Sequence, residues 1–261
     1  PNTVTISSLL NHTSGLRDYP HFEDIHSFMQ NNPDFPHSDS YIIERVINNN
    51  ELLFESGNDW SYSNTGYMLL RILLETCSKK SYEALLKEHI CAPLNFDNTT
   101  FVSSIKPSNV TDGYSRVFSE KGDMEEITKI FNPSWVKTGL ICSTTLEVAT
   151  LYHQLFSNKL LSQSSLTKMV KNQQLNGSGK LANYGFGFDI FNSQSEAISF
   201  GHAGGGPGFT TAVKHFTNIE GRAISIAVFC NTSINANYHQ LFSDLLNVIA
   251  MHNKGTASYV F

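Results

Sequence analysis

Tyr62-Ser63-Asn64 places a phenol two residues ahead of a carboxamide, just before an apolar helical run from Met68 to Leu74. A phenol can give or take a proton, and a carboxamide offers both a donor and an acceptor without changing charge. Held together at a helix entrance, the two suit proton transfer beside an oriented polar group. A free phenol titrates near about 10, too high for a base at neutrality, so Tyr62 in that role needs a cation beside it. Far downstream, His202 follows Gly201 at a strand end and leads into Gly204-Gly205-Gly206-Pro207-Gly208. By itself such a glycine run is an ordinary turn; the histidine at its head makes it a second place where chemistry can be sought.

The surrounding pattern says what holds these residues. Thr5 can cap a short helix with Ile6, Leu9 and Leu10 on one face, ending at His12-Thr13-Ser14-Gly15. The proline-punctuated stretch from Asp18 to His37 reads as a long loop. Asp39 can cap a helix carrying Ile42, Ile43, Val46 and Ile47, and further helices are expected from about Gly66 to Cys77 and from Tyr82 to Ile90. Asn95, in the turn Pro93-Leu94-Asn95-Phe96, belongs to a residue type that tolerates positive φ. Residues 101 to 135 are loop-rich. Thr144 or Thr145 caps a helix through Leu155, and another follows Ser162. Strand-like runs then occupy Tyr184 to Phe191, Ala197 to Gly201, Thr210 to Phe216 and Arg222 to Cys230, before a closing helix from about Asn237 to Met251. Short turns between the strands favour antiparallel hairpins. The pattern is α+β, with residues 1 to about 135 a mostly helical lobe and about 136 to 261 helices plus an antiparallel sheet.

Composition narrows the function. The 261 residues are 40% hydrophobic and 16% charged with a net charge of −5, enough apolar material for a large core. No basic run offers a footprint for nucleic acid. No apolar stretch approaches the roughly 20 residues that span a bilayer, so a membrane association is left open. Cys77, Cys91, Cys142 and Cys230 form no C-x-x-C pair and read as small buried hydrophobes, with a bridge between Cys77 and Cys91 as the alternative. His21, Glu23 and His26 lack the spacing of a zinc site, and neither a metal nor a cofactor is expected.

Taken in order, five segments resemble the serine β-lactamase-like and penicillin-binding-protein-like family, which includes class C β-lactamases, D-alanyl-D-alanine carboxypeptidases and esterases. Leu9-Leu10-Asn11-His12-Thr13-Ser14-Gly15-Leu16 is similar to its L-L-x-H-T-S-G-L segment, and Tyr62-Ser63-Asn64 to its Y-x-N motif. Pro93-Leu94 with Thr99 resembles its P-L-G-M-x-x-T turn, with Asn95 in place of glycine. Gly139-Leu140 with Ser143-Thr144 is similar to its G-G-L-x-S-T segment, and Gly201 to Phe209 to its G-H-x-G-G-x-x-G-F strand and turn.

The resemblance implies a β-lactamase/transpeptidase-like fold and an acyl-enzyme mechanism on a small-molecule or peptide amide or ester. The family's S-x-x-K serine attacks the carbonyl, while its lysine and the Y-x-N tyrosine share the acid and base work. By motif position Tyr62 and Asn64 are the catalytic residues; His202, Gly204 and Gly205 face the substrate, with the Gly205 N–H as oxyanion donor. His202 stands where β-lactamases carry the lysine of K-T-G, a pattern closer to esterases and peptidases. The nucleophile motif precedes L-L-x-H-T-S-G-L in the family, and no S-x-x-K does so here. Ser103 to Lys106 and Ser165 to Lys168 match it by letters but follow that segment, and Lys137-Thr138-Gly139 matches K-T-G outside a strand. The expectation is therefore a chain without its N-terminal nucleophile segment, inactive alone, with that segment or a second copy as its macromolecular partner. A ligand-binding or regulatory domain derived from the family is the alternative. The family also implies an extracytoplasmic or periplasmic setting.

Overall fold

The computed structural model describes residues 4–49, 51–102, 110–176, 180, 182–192, 198–234 and 237–253 in an α+β arrangement. Helix α1 (Ile6–Leu10) opens with Thr5 and Ser8 capping each other reciprocally. Helix α2 (Glu23–Asn31) corrects the expectation of a loop through this stretch. Phe22, Ile25, Phe28 and Met29 recur at helical spacing and pack around Tyr19, Ile42, Met68 and Trp135. Burial of that face outweighs the local signal, and Pro20, Pro33 and Pro36 all fall outside the helix.

Helices α3 (Asp39–Asn49) and α4 (Asn64–Ser78) deliver Ile42 and Met68 to the same core. Asp39 is the first residue of α3 rather than its cap, and it meets Arg71 of α4 at 2.6 Å. Helix α5 (Tyr82–Leu86) continues through a π turn at Lys87–Cys91 into α6 (Ala92–Leu94). Asn95, at φ 55, ends that run.

Among the described residues from 100 to 135 the pieces are short: β1 (Thr100–Phe101), β2 (Tyr114–Ser115) and β3 (Glu125–Glu126), the last two paired together, then single 3-10 turns at Ile127–Lys129 and Pro133–Trp135. Strand β4 (Ile141–Cys142) pairs with β1. Thr144 caps α7 (Thr145–Phe156), and Ser162 caps α8 (Gln163–Met169).

An antiparallel sheet follows in the order β5 (Asp189–Phe191), β6 (Ser199–Gly206), β7 (Phe209–Ile219), β8 (Arg222–Cys230). The run from Tyr184 gives only its last three residues to the sheet, whereas β6 extends through the glycines to Gly206. Side chains alternate between the two faces. Ala212, Phe216, Ile226 and Val228 pack against Phe242 of α9 (Tyr238–Asn253). On the other face Phe156 of α7 stacks on Phe200 at 4.9 Å and on His215 at 4.4 Å. All four cysteines are free.

Candidate active site

The tyrosine side of the site begins with a backbone distortion. His12 sits at φ 60, a conformation uncommon outside glycine. The Asn11 side-chain oxygen spans it, accepting from the Thr13 N–H at 3.3 Å and the Thr13 hydroxyl at 2.7 Å. The imidazole is thereby buried against Tyr62, Tyr67 and Tyr184, with ring centroids 4.3, 5.1 and 4.7 Å away. Its Nδ1 accepts the Ser63 N–H at 3.1 Å, so the neutral ring carries its proton on Nε2. Burial, then the charge of His202, drives its pKa down to about 3.

Tyr62 itself stays 39% exposed. Its ring lies 5.9 Å from that of His202 on β6, which is also 6.0 Å from Tyr184. The phenol and the imidazole therefore lie side by side, one from the segment ahead of α4 and one from β6. Burial raises the Tyr62 pKa, and Asp18 and Asp189 raise it further, so the phenol keeps its proton.

Asn64 opens α4 and is gripped from behind. Buried Asp18 accepts its backbone N–H at 2.7 Å and its side-chain nitrogen at 2.9 Å, and the Thr65 N–H at 3.3 Å. The carboxylate thus supplies partners for the unpaired donors of the first turn, next to the positive end of the helix. It also orients the carboxamide, with Nδ2 facing Asp18. Burial still pushes the Asp18 carboxyl above its usual range, against the hydrogen bonds from Asn64 and Thr65.

The β6 side is mostly main chain. His202 Nδ1 lies 2.6 Å from the Ala203 carbonyl, which can only accept, so Nδ1 bears a proton and, in the neutral ring, Nε2 has the lone pair. Strand β6 pairs with β5 only as far as Gly201, while its pairing with β7 runs on to Gly206↔Phe209. The loop between is Pro207-Gly208, with Gly208 at φ +82. A two-residue hairpin closes on a hydrogen-bonded pair, so the alternation of antiparallel bonding turns the Gly205 N–H away from β7, toward the edge where β5 has ended. The hairpin tip is buttressed: a Cβ on Gly208 would meet Ile127 at 2.3 Å, and one on Gly113 would meet the Phe209 ring at 2.4 Å.

The beta-lactamase family profile matches residues 1–244. The chain belongs to that family. It is 28% identical over 228 residues to penicillin-binding protein 4* of Bacillus subtilis (strain 168), a match covering 82% of this chain and 49% of that protein. With D-aminopeptidase of Brucella anthropi it shares 23% over 199 residues, 76% of this chain and 36% of the relative. The chain thus spans about half the length, or less, of these two curated relatives. Among solved structures, the D-stereospecific amidohydrolase from Streptomyces sp. superimposes with a TM-score of 0.79 at 23% identity, over 92% of this chain and 72% of that one. The octameric penicillin-binding protein homologue from Pyrococcus abyssi gives 0.73 at 21%, over 95% and 56%. Both structural likenesses carry the fold: this is a β-lactamase/transpeptidase-like chain.

Of the motif residues, the structure brings the Tyr62 and His202 rings to 5.9 Å, tilted by 45°, and makes Asn64 the first residue of α4. Gly204 and Gly205 are exposed along β6. Ser165 lies on the exposed side of α8, its hydroxyl 3.0 Å from the capping Ser162 hydroxyl, and Ser103 to Lys106 fall outside the described residues. Lys137 is buried and donates to the His37 carbonyl at 2.6 Å, a tie within the helical cluster. Sequence reasoning missed Asp18 and Tyr184. Asp18, directly after the His12 to Arg17 stretch, was the one recoverable signal; Tyr184 had none.

Proposed function

We propose that this chain carries the proton-transfer and substrate-holding part of a serine hydrolase that acts on an amide or ester through an acyl-enzyme. The observation that carries this reading is the Tyr62 phenol, 39% exposed just ahead of α4, with its ring 5.9 Å from that of His202 on β6. In this reading Tyr62 passes the proton between the attacking hydroxyl and the leaving group. Asn64 Oδ1 orients a substrate N–H, and His202 Nε2 accepts from the substrate. The outward Gly205 N–H donates to the developing oxyanion, an interaction typically worth about 2.7–4 kcal/mol. Burial and two carboxylates hold the phenol protonated, so base action needs an added cation. The nucleophile and that cation come from an S-x-x-K segment outside these 261 residues, which alone are inactive. Two of the relatives are named as a D-aminopeptidase and a D-stereospecific amidohydrolase, which makes amides of D-amino acids the first substrates to try.

The raised phenol also favours a second reading, in which the site binds such a ligand without turning it over. Incubation with a fluorophosphonate followed by intact-mass and peptide mapping separates the two. The full-length gene product should gain one adduct, on an S-x-x-K serine, and Tyr62→Phe should slow acylation by roughly 10²–10⁴-fold. The 261-residue chain should gain none. A stoichiometric adduct on the short chain would place a working nucleophile within it and sink the proposal. A full-length protein that stays unlabelled yet binds D-amino-acid amides would leave the binding reading standing.

A further inference from the structure

We propose that His12 is a positioning residue that sets the register and aim of Tyr62 and Asn64, an inference that takes its functional meaning from the role given to Tyr62 above. His12 brackets Tyr62 with two acceptors. Its carbonyl takes the Ser61 N–H at 3.0 Å, and its ring Nδ1 takes the Ser63 N–H at 3.1 Å. In extended backbone the N–H groups of residues i and i+2 point the same way, and Ser63 has the extended angles φ −145, ψ 104. One residue therefore pins the chain on both sides of the phenol. The same ring lies 4.3 Å from the Tyr62 ring, so it also limits where the phenol can lean.

The imidazole cannot easily move to relax this grip. Its backbone is held left-handed by the Asn11 side chain across to Thr13. The Tyr67 and Tyr184 rings pack on it at 5.1 and 4.7 Å, and Trp60 meets it edge-on at 5.9 Å. Its Nε2 is buried and has no hydrogen-bond partner. Leaving a donor unpaired is costly, and a phenylalanine would fill the same space without that cost. What the imidazole alone adds is the Nδ1 lone pair aimed at Ser63. The unpaired Nε2 thus argues that the ring is there for its other nitrogen.

The test uses the full-length protein and three variants. Asparagine places an acceptor near the Nδ1 position and tolerates the left-handed backbone; glutamine reaches toward the Nε2 position; phenylalanine keeps the ring and loses both nitrogens. Amide exchange is read at Ser61 and Ser63, and acylation is read with a D-amino-acid amide. His12→Phe and His12→Gln should speed Ser63 exchange roughly tenfold to hundredfold, the equivalent of one buried hydrogen bond. His12→Asn should stay close to the parent. Acylation should follow the same order, falling in kcat with KM little changed. If His12→Phe fails to fold, the Asn and Gln pair still decides. Equal losses in Asn and Gln, or unchanged Ser63 exchange in Gln, would overturn the proposal. An inactive full-length protein with the predicted exchange pattern would instead strike the hydrolase reading and leave the positioning intact.

Discussion

On the tyrosine side of the proposed site the groups assigned a role are side chains, and buried polar partners hold them from behind. Asp18 grips Asn64 and the first turn of α4, and His12 takes the Ser63 N–H beside Tyr62. On the glycine side the group assigned a role is main chain: Gly205 and Gly206 are exposed, and a Cβ on either would meet nothing within 4 Å. The difference separates two ways of fixing geometry. Side chains with several rotamers need a buried shell to choose one, whereas a strand N–H is aimed by pairing alone. The tyrosine side should therefore fail through loss of support. The glycine side should tolerate new side chains wherever they do not strike backbone.

Asp18→Ala is the most damaging break of that comparison. It strands the Asn64 and Thr65 N–H groups at the start of α4 and frees the Asn64 carboxamide. Each unsatisfied buried donor costs about 1–3 kcal/mol, so with two stranded a loss of about 2–6 kcal/mol should appear in denaturant unfolding. Asp18→Asn keeps an acceptor and should lose less. Equal stability of Asp18→Ala and parent would show that the shell is not what holds this side.

Acid should reach the two regions unequally. Unfolded histidine titrates near about 6.5. His12 is displaced to about 3 by burial and then His202, and His215, on the sheet face under α7, to about 4 by burial and then His153. Between the folded and unfolded values the unfolded chain binds more protons, so stability is whole above the unfolded value and declines as pH falls toward the folded one. Each histidine should remove about 2 kcal/mol between pH 7 and 5. Asp18 and Asp189 are displaced upward, mainly by burial, so the folded chain holds their protons more readily and they oppose the loss as pH falls. His12→Asn should remove its own share of the slope and leave that of His215, which denaturant curves at the two pH values would measure. The exposed glycine backbone has no proton to gain.

The same contrast explains what could be read from the sequence. Tyr62, Asn64 and His202 were legible because a residue type and its motif neighbours suffice to mark them. The shell was not, because Asp18 and Tyr184 matter only through contacts with residues far along the chain. Asp18 meets Asn64 forty-six positions away, and the Tyr184 ring packs on that of His12 from far along the chain. The capped helices after Thr5, Thr144 and Ser162 were found from local chemistry alone. Helix α2 was hidden because three prolines mark its surroundings as loop, while its helical face is stabilised by Ile42, Met68 and Trp135 from elsewhere. Between 110 and 135 the buried anchors Ile127 and Trp135 stand singly, with no period to detect.

The smallest expected effect sharpens the comparison most. Gly205→Ala adds a methyl where nothing lies within 4 Å, and the residue does not have the positive φ that would strain an alanine. Folding stability should change by no more than about 0.5 kcal/mol, as for most exposed substitutions. Gly201→Ala, four residues earlier on the same strand, would press its methyl to 2.3 Å from the Val213 carbonyl, so the backbone must shift and stability must fall. If the oxyanion donor is the Gly205 N–H, alanine keeps it and acylation of a D-amino-acid amide should stay within about threefold, well under the roughly 10²–10³-fold that loss of an oxyanion donor costs. A large rate loss at unchanged stability would mean that the substrate lies against the glycine Cα itself. The rim would then act by close approach, with its side-chain-free surface as much a part of the site as the supported phenol.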